Sequence, residues 1–193
     1  MQTSVILASS SPFRRQLLDR LHLDYTCQAP DVDESVLPGE APEEYVRRLA
    51  EVKARTIAEQ HPDAVVIGSD QCAVRDGQIL GKPGNHEAAL KQLQAAQGKT
   101  VIFHTGLCVL NLIGNFELTE VVPFEVEFRR LSDEQLDNYL RMEEPYQCAG
   151  SFKSEGYGAS LFRALRGDDP TALIGLPLLT LVPALERAGI EVV

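Results

Sequence analysis

AVVIGSD, residues 64 to 70, decides how this chain is read. Four apolar residues, Ala64–Ile67, run into Gly68, Ser69 and Asp70, the pattern of a buried strand ending in small polar groups. A buried strand needs helices to cover it, and this one would deliver Ser69 and Asp70 at its carboxyl end, where polar groups can be presented. Just beyond it, VRDGQIL (74–80) carries Asp76–Gly77, the turn signal of a hairpin. Upstream, Val5–Ala8 and Tyr25–Gln28 read as short strands, and Pro12 starts a helix capped by Ser11. Glu43–Gln60 reads as a long helix, with Tyr45, Val46, Leu49, Val52, Ile57 and Ala58 apolar and Arg47, Arg48, Glu51, Lys53 and Arg55 on the polar side.

Downstream, Asn85–Gln97 is a helix after Pro83–Gly84. Thr100–Leu112 and Phe116–Phe128 form a second hairpin around Gly114–Asn115. Ser132–Met142 opens with a capping box, Ser132 three residues before Gln135. A strand-like LFRALRGDD and a helix from Pro177 to Ala188 close the pattern. There are no repeats, linkers or composition breaks, so residues 1–193 are expected to form a single domain of the mixed α/β (α+β) class, with two lobes and a cleft.

Composition narrows the function classes. A formal charge of −10 over 193 residues opposes a general nucleic-acid or anionic-membrane surface, since phosphates are repelled at long range. A phosphate-bearing substrate would need a local basic cluster or a divalent cation. Cys27, Cys72, Cys108 and Cys148 are scattered, with no C-x-x-C pair, as in reduced core residues. Met1–Ser4 lacks the basic start and long apolar core of a signal peptide, and no apolar run is long enough for a membrane span. A cytoplasmic location is expected. Walker A, G-x-G-x-x-G, G-x-S-x-G and H-E-x-x-H patterns are absent, and His22, His61, His86 and His104 show no ligand spacing.

Several residues remain as candidates. Ser9, Ser10, Ser11, Arg14 and Arg15 surround a helix start, which suits either a phosphate grip or a cap with two solvated arginines. Asp31, Asp33 and Glu34 offer oxygen ligands to a hard divalent cation, or simply an acidic surface turn. Asp70 fits a base or a cap. Lys82, stiffened by Pro83, fits a phosphate contact or a solvated loop, and Lys53 reads by default as solvated. Phe13 fits a hydrophobic staple on the first helix.

LASSSPFRRQLL, DVDE, EVKA, IGSDQ, LGKP, FHTGL, CAGSFKSEG and LIGLPL occur here in the order in which they occur in the Maf family of nucleoside triphosphate pyrophosphatases, which the chain resembles over nearly its whole length. The resemblance implies a two-lobed Maf/ITPase-like fold with an elongated mixed sheet, surrounding helices and a central cleft. It implies Asp70 as the base that activates water against the α-phosphorus. Glu34 and Asp70 would hold a divalent metal cation (Mg, Mn or Co), with Ser9, Arg14, Lys53 and Lys82 along the triphosphate. Where the commoner branch, acting on dTTP and UTP, has S-P-R-R, D-T and Gln-Gly, this chain has Phe13, Gln71 and Glu155. That triple resembles the branch hydrolysing 7-methyl-GTP to 7-methyl-GMP and diphosphate. An aromatic ring at Phe13 would gain from stacking on the cationic methylated base, Glu155 would accept from N1–H and the exocyclic amine, and Gln71 would add an amide contact. The implied partner is a nucleotide, with neither a nucleic-acid polymer nor a membrane, and a homodimer is expected at family level. The alternatives are a pyrophosphatase for dTTP, UTP or other modified nucleotides, and a nucleotide-binding regulator of cell division with little turnover.

Overall fold

A computed structural model describes residues 3–193, so the expectation about the first residues lies, for Met1 and Gln2, outside the described part. The elements in chain order are β1 (Val5–Leu7), α1 (Pro12–Leu18), β2 (Tyr25–Cys27), α2 (Pro42–Ala58), β3 (Val65–Arg75), β4 (Gln78–Leu80), α3 (His86–Ala96), β5 (Thr100–Asn111), β6 (Phe116–Phe128), α4 (Asp133–Glu143), β7 (Phe162–Arg166), α5 (Pro170–Ile174) and α6 (Leu178–Arg187). The described strands form one mixed sheet of seven, in the order β2-β1-β3-β5-β6-β7, with β4 on β3. β1 is parallel to β2 and β3, whereas β4 and β7 pair antiparallel with β3 and β6. The mixed α/β class expected from the sequence is the one observed.

The chain divides into two compact units. The first comprises the described residues up to Gln71 together with His104–Val122 and Asp169–Val193. Strand alternation gives it two cores. Val5, Leu7, Val65, Ile67, Leu107 and Val109 pack with Leu17 and Leu18 of α1 and Leu181 and Leu185 of α6. Ile6, Ala8, Val66, Cys108 and Leu110 pack on the other face with Ala50, Ala54 and Ile57 of α2. Burial pushes the Cys108 thiol up to about 11, so it is inert at neutral pH. Helix α2 rides close to the sheet because Gly68 and Gly106 lie beneath it. A Cβ on either would stand 2.2 Å from a helix carbonyl oxygen, that of Ala50 or of Val46.

The second unit, Cys72–Phe103 with Pro123–Asp168, is centred on Phe103, Phe128, Phe152 and Phe162, whose rings meet edge to face at 4.8–5.7 Å. Its β3–β4 hairpin turns at Asp76 (φ 51°) and Gly77 (φ 76°), the positive pair a two-residue turn requires.

Two differences from the sequence reading bear on function. β3 continues to Arg75 because residues 73–75 pair with β4, so Asp70 sits within the strand rather than at its carboxyl end. And α5, five residues between GDD and GLP, is too short to show a helical period. It depends on Asp169, a buried carboxylate that accepts from the Thr171 amide (2.8 Å) and hydroxyl (2.6 Å) and from the Leu179 amide of α6 (2.8 Å). Asp169→Ala removes all three bonds, and urea unfolding is expected to register a loss of about 3 kcal/mol. A loss below about 0.5 kcal/mol would show that these helix starts need no cap. Among the described residues no helix is long and apolar enough to cross a membrane.

Candidate active site

The buried stripe of α2 runs through Val46, Leu49, Ala50, Lys53, Ala54 and Ile57, so Lys53 faces the sheet rather than solvent. This corrects its reading as a solvated residue. A lysine only 6% exposed must be paired with opposite charge. Its Nζ lies 2.6 Å from Asp70 Oδ1 and 2.6 Å from Glu34 Oε1. Asp70 is itself 7% exposed and reaches α2 from β3. Glu34 lies in the loop before α2, on the exposed side of the ammonium.

That loop is pinned to α2. Tyr45 Oη donates to the Glu34 carbonyl at 3.0 Å, and Arg48 Nη2 donates to the Ser35 carbonyl at 3.0 Å. Arg48 also grips Glu40 through two bonds of 2.5 and 2.8 Å, which hold the Glu40 carboxyl down at about 2. Neither Tyr45 nor Arg48 stood out in the sequence, where both read as ordinary members of an amphipathic helix.

Ser9 and Arg14 are brought together at the start of α1. Ser9 Oγ accepts from the Ser11 amide (3.1 Å) and from Arg14 Nη1 (3.4 Å), while Ser11 Oγ caps the helix by accepting from the Arg14 amide at 3.4 Å. Arg14 Nε donates to the Gly175 carbonyl at 2.8 Å, and Ser69 Oγ donates to the same carbonyl at 3.0 Å. Burial pushes the Arg14 guanidinium below its ordinary value, opposed by the negative charges of Asp70 and Glu34. Asp70, Glu34, Lys53, Arg14 and Ser9 thus form one cluster. Phe13, the residue before Arg14, is half-buried at the second position of α1. Arg15 is exposed, its guanidinium raised chiefly by a hydrogen bond with Cys27.

Gln71 faces away from Asp70, as strand alternation requires. Its amide nitrogen donates to Thr105 Oγ1 (3.0 Å) and to the carbonyls of Ala172 (2.7 Å) and Leu173 (3.1 Å), and Thr105 Oγ1 donates to Ala172 O at 2.9 Å. The donor side of this amide is therefore committed to α5, leaving its oxygen. Thr105 and Gly175, which complete this support, were not singled out by sequence: their signal lies in contacts 34 to 161 residues apart along the chain.

Lys82 and Glu155 are exposed residues of the second unit. Both act on the Cys148 thiol, which burial raises while Lys153 and Lys82 pull it down and Glu155 and Glu143 push it up, so the two share one neighbourhood. The histidines do not form a centre. His86 bonds Asp137 (2.7 Å) and Tyr146 (3.1 Å), His61 bonds Gln28 (2.9 Å), and His104 lies 3.6 Å from Glu43 with its Nδ1 unpartnered.

Among the described residues no three His, Cys, Asp or Glu side chains group around one point. Glu34 and Asp70 nevertheless aim oxygens at a single cation, the Lys53 ammonium. Two hard oxygen donors fit a small divalent ion that completes its shell with water and substrate phosphates.

Comparison with known proteins gives a consistent set of likenesses. A family model described as Maf-like protein matches residues 4–188. Curated relatives named 7-methyl-GTP pyrophosphatase include one from Nitrosococcus oceani, 57% identical over 98% of this chain and 95% of its own, and one from Methylobacillus flagellatus, 52% identical over 98% of both. Among solved structures, a HAM1 protein from Coxiella burnetii is similar in fold, with a TM-score of 0.55 at 17% identity over 96% of this chain and 100% of that one.

Proposed function

The chain belongs to the Maf-like family, and on that premise we propose that it is a pyrophosphatase hydrolysing 7-methyl-GTP to 7-methyl-GMP and diphosphate. The observation that carries the chemistry is the buried Asp70 carboxylate, oriented by Lys53 within the cluster of Glu34, Arg14 and Ser9. Asp70 accepts a proton from water as the water oxygen bonds to the α-phosphorus. The bond from that phosphorus to the bridging oxygen breaks, and diphosphate leaves with the electron pair. Lys53, Arg14 and Ser9 donate to phosphoryl oxygens as charge develops on them, and Lys82 supplies a further cation. Glu34 and Asp70 would hold the divalent cation, which when bound neutralises phosphate charge and acidifies water.

Base choice rests on Phe13 and Glu155. N7-methylation makes guanine cationic, and an aromatic face attracts such a ring by about 0.5–2 kcal/mol. Glu155 accepts from N1–H and the exocyclic amine and opposes the same positive charge. Gln71 supports the site from behind, through α5 and the Gly175 carbonyl that receives Arg14.

The test is a nucleotide panel with Mg²⁺, Mn²⁺ or Co²⁺, following diphosphate release. The highest kcat/KM is expected for 7-methyl-GTP. Preference for dTTP or UTP would overturn the base assignment, and tight binding without diphosphate would favour a regulator.

A further inference from the structure

Glu155 sits at the tip of a turn whose two shoulders, Lys153 and Tyr157, are both tied to one residue of α4, Glu143. Glu143 Oε2 accepts from the Tyr157 amide at 2.8 Å. Its Oε1 lies 3.2 Å from Lys153 Nζ, which also donates to the Glu143 carbonyl at 2.8 Å. The Lys153 amide donates to Tyr139 Oη of the same helix at 3.3 Å, and the Lys153 carbonyl closes the turn by accepting from Gly156 (3.4 Å) and Gly158 (3.1 Å). The chain passes so near that a Cβ on Gly156 would stand 2.9 Å from Glu143 Oε2. The Glu143 side chain is 16% exposed and sits at the last residue of α4, where the helix dipole disfavours a carboxylate and Lys153 offsets it. Glu155, by contrast, is exposed, and the one hydrogen bond its carboxylate receives in the turn comes from its neighbour Ser154, at 3.2 Å.

We infer that Glu143 is a positioning residue for base selection: by holding Lys153 and Tyr157 it fixes the turn that presents Glu155 to the guanine edge. The inference rests on the reading of Glu155 given above. A carboxylate reads a base edge only when its two oxygens are held in place, because ordering a free turn at the moment of binding costs the discrimination it would provide. Glu143 does this without touching the nucleotide.

The readout is the ratio of kcat/KM for 7-methyl-GTP to that for GTP. A general loss of folded protein lowers both by the same factor and leaves the ratio unmoved. Glu143→Ala is expected to lower the ratio about tenfold, equivalent to about 1.4 kcal/mol. Glu143→Gln keeps an acceptor for the Tyr157 amide but loses the ion pair, and is expected to lower it about threefold; it decides the matter if the alanine variant does not fold. Because Glu143 acts through Glu155, Glu143→Ala on a Glu155→Gln background should produce no further fall. A ratio unchanged in the Glu143 variants while Glu155→Gln lowers it overturns the inference and leaves the Glu155 reading standing. A ratio unchanged in Glu155→Gln overturns that reading itself.

Discussion

Asp70→Asn is expected to lower kcat for 7-methyl-GTP by about a thousandfold, with the fold retained. The amide is nearly the same shape, so it fills the same buried position between β3 and α2. Its oxygen still accepts from Lys53, and Lys53 keeps the Glu34 carboxylate 2.6 Å away, so no ammonium is left unpaired in the interior. What is lost is the basic lone pair and the negative charge. A positioned general base contributes about 10²–10⁴ in rate. Steady-state kinetics with circular dichroism as the check on folding measures both halves of the expectation. A variant within tenfold of wild-type kcat would remove Asp70 from its role as base and point to water activated elsewhere.

Gly68→Ala is expected to cost much of the stability of the chain's first unit, as a methyl group at Gly106 would. Its Cβ would lie 2.2 Å from the Ala50 carbonyl oxygen, 2.8 Å from the Ala54 nitrogen and 2.9 Å from the Ala54 Cβ. Two of these are backbone atoms of α2, so no rotamer change relieves the contact and the helix must lift. Lifting α2 opens the core of Ile6, Val66, Cys108 and Leu110 and draws Lys53 away from Asp70. A loss of about 4 kcal/mol or more is expected, beyond ordinary overpacking. Gly81→Ala is the control: an added Cβ there meets nothing within 4 Å, and its urea midpoint should hardly move. A Gly68 variant within about 1 kcal/mol of wild type would mean that α2 is not seated as closely as described.

Much of this architecture was legible because its signals are local. The run Ala64–Ile67, the Asp76–Gly77 and Gly114–Asn115 turns and the Ser132–Gln135 capping box each act over a few residues, and the elements appear where those signals place them. The site was legible only in part. Ser9 and Arg14 lie on one turn of chain, so their meeting could be anticipated. Lys53 could not be paired with Asp70 in advance, because helix periodicity says which residues share a face but not which strand residue lies beneath. Gln71 is the complementary case: it follows Asp70 in the chain, but neighbours in a strand point to opposite faces, and its amide nitrogen is held by Thr105 and α5. The support of Arg14 by Gly175, 161 residues away, depends on α5, which has too few residues to announce itself.

The pairing of Lys53 with both carboxylates has a consequence for how a substrate enters. Glu34, Asp70, Lys53 and Arg14 cancel one another's formal charge at short range, within a chain that carries −10 overall. The site of the free enzyme is therefore electroneutral rather than a standing positive trap, and a triphosphate is not drawn in by a long-range field. On the proposed reading it gains its ion pairs by exchange: the Lys53 ammonium, held by Asp70 and Glu34 in the free site, turns to a phosphoryl oxygen as the nucleotide binds. The protein carries its own counter-ions, and binding is a swap of partners.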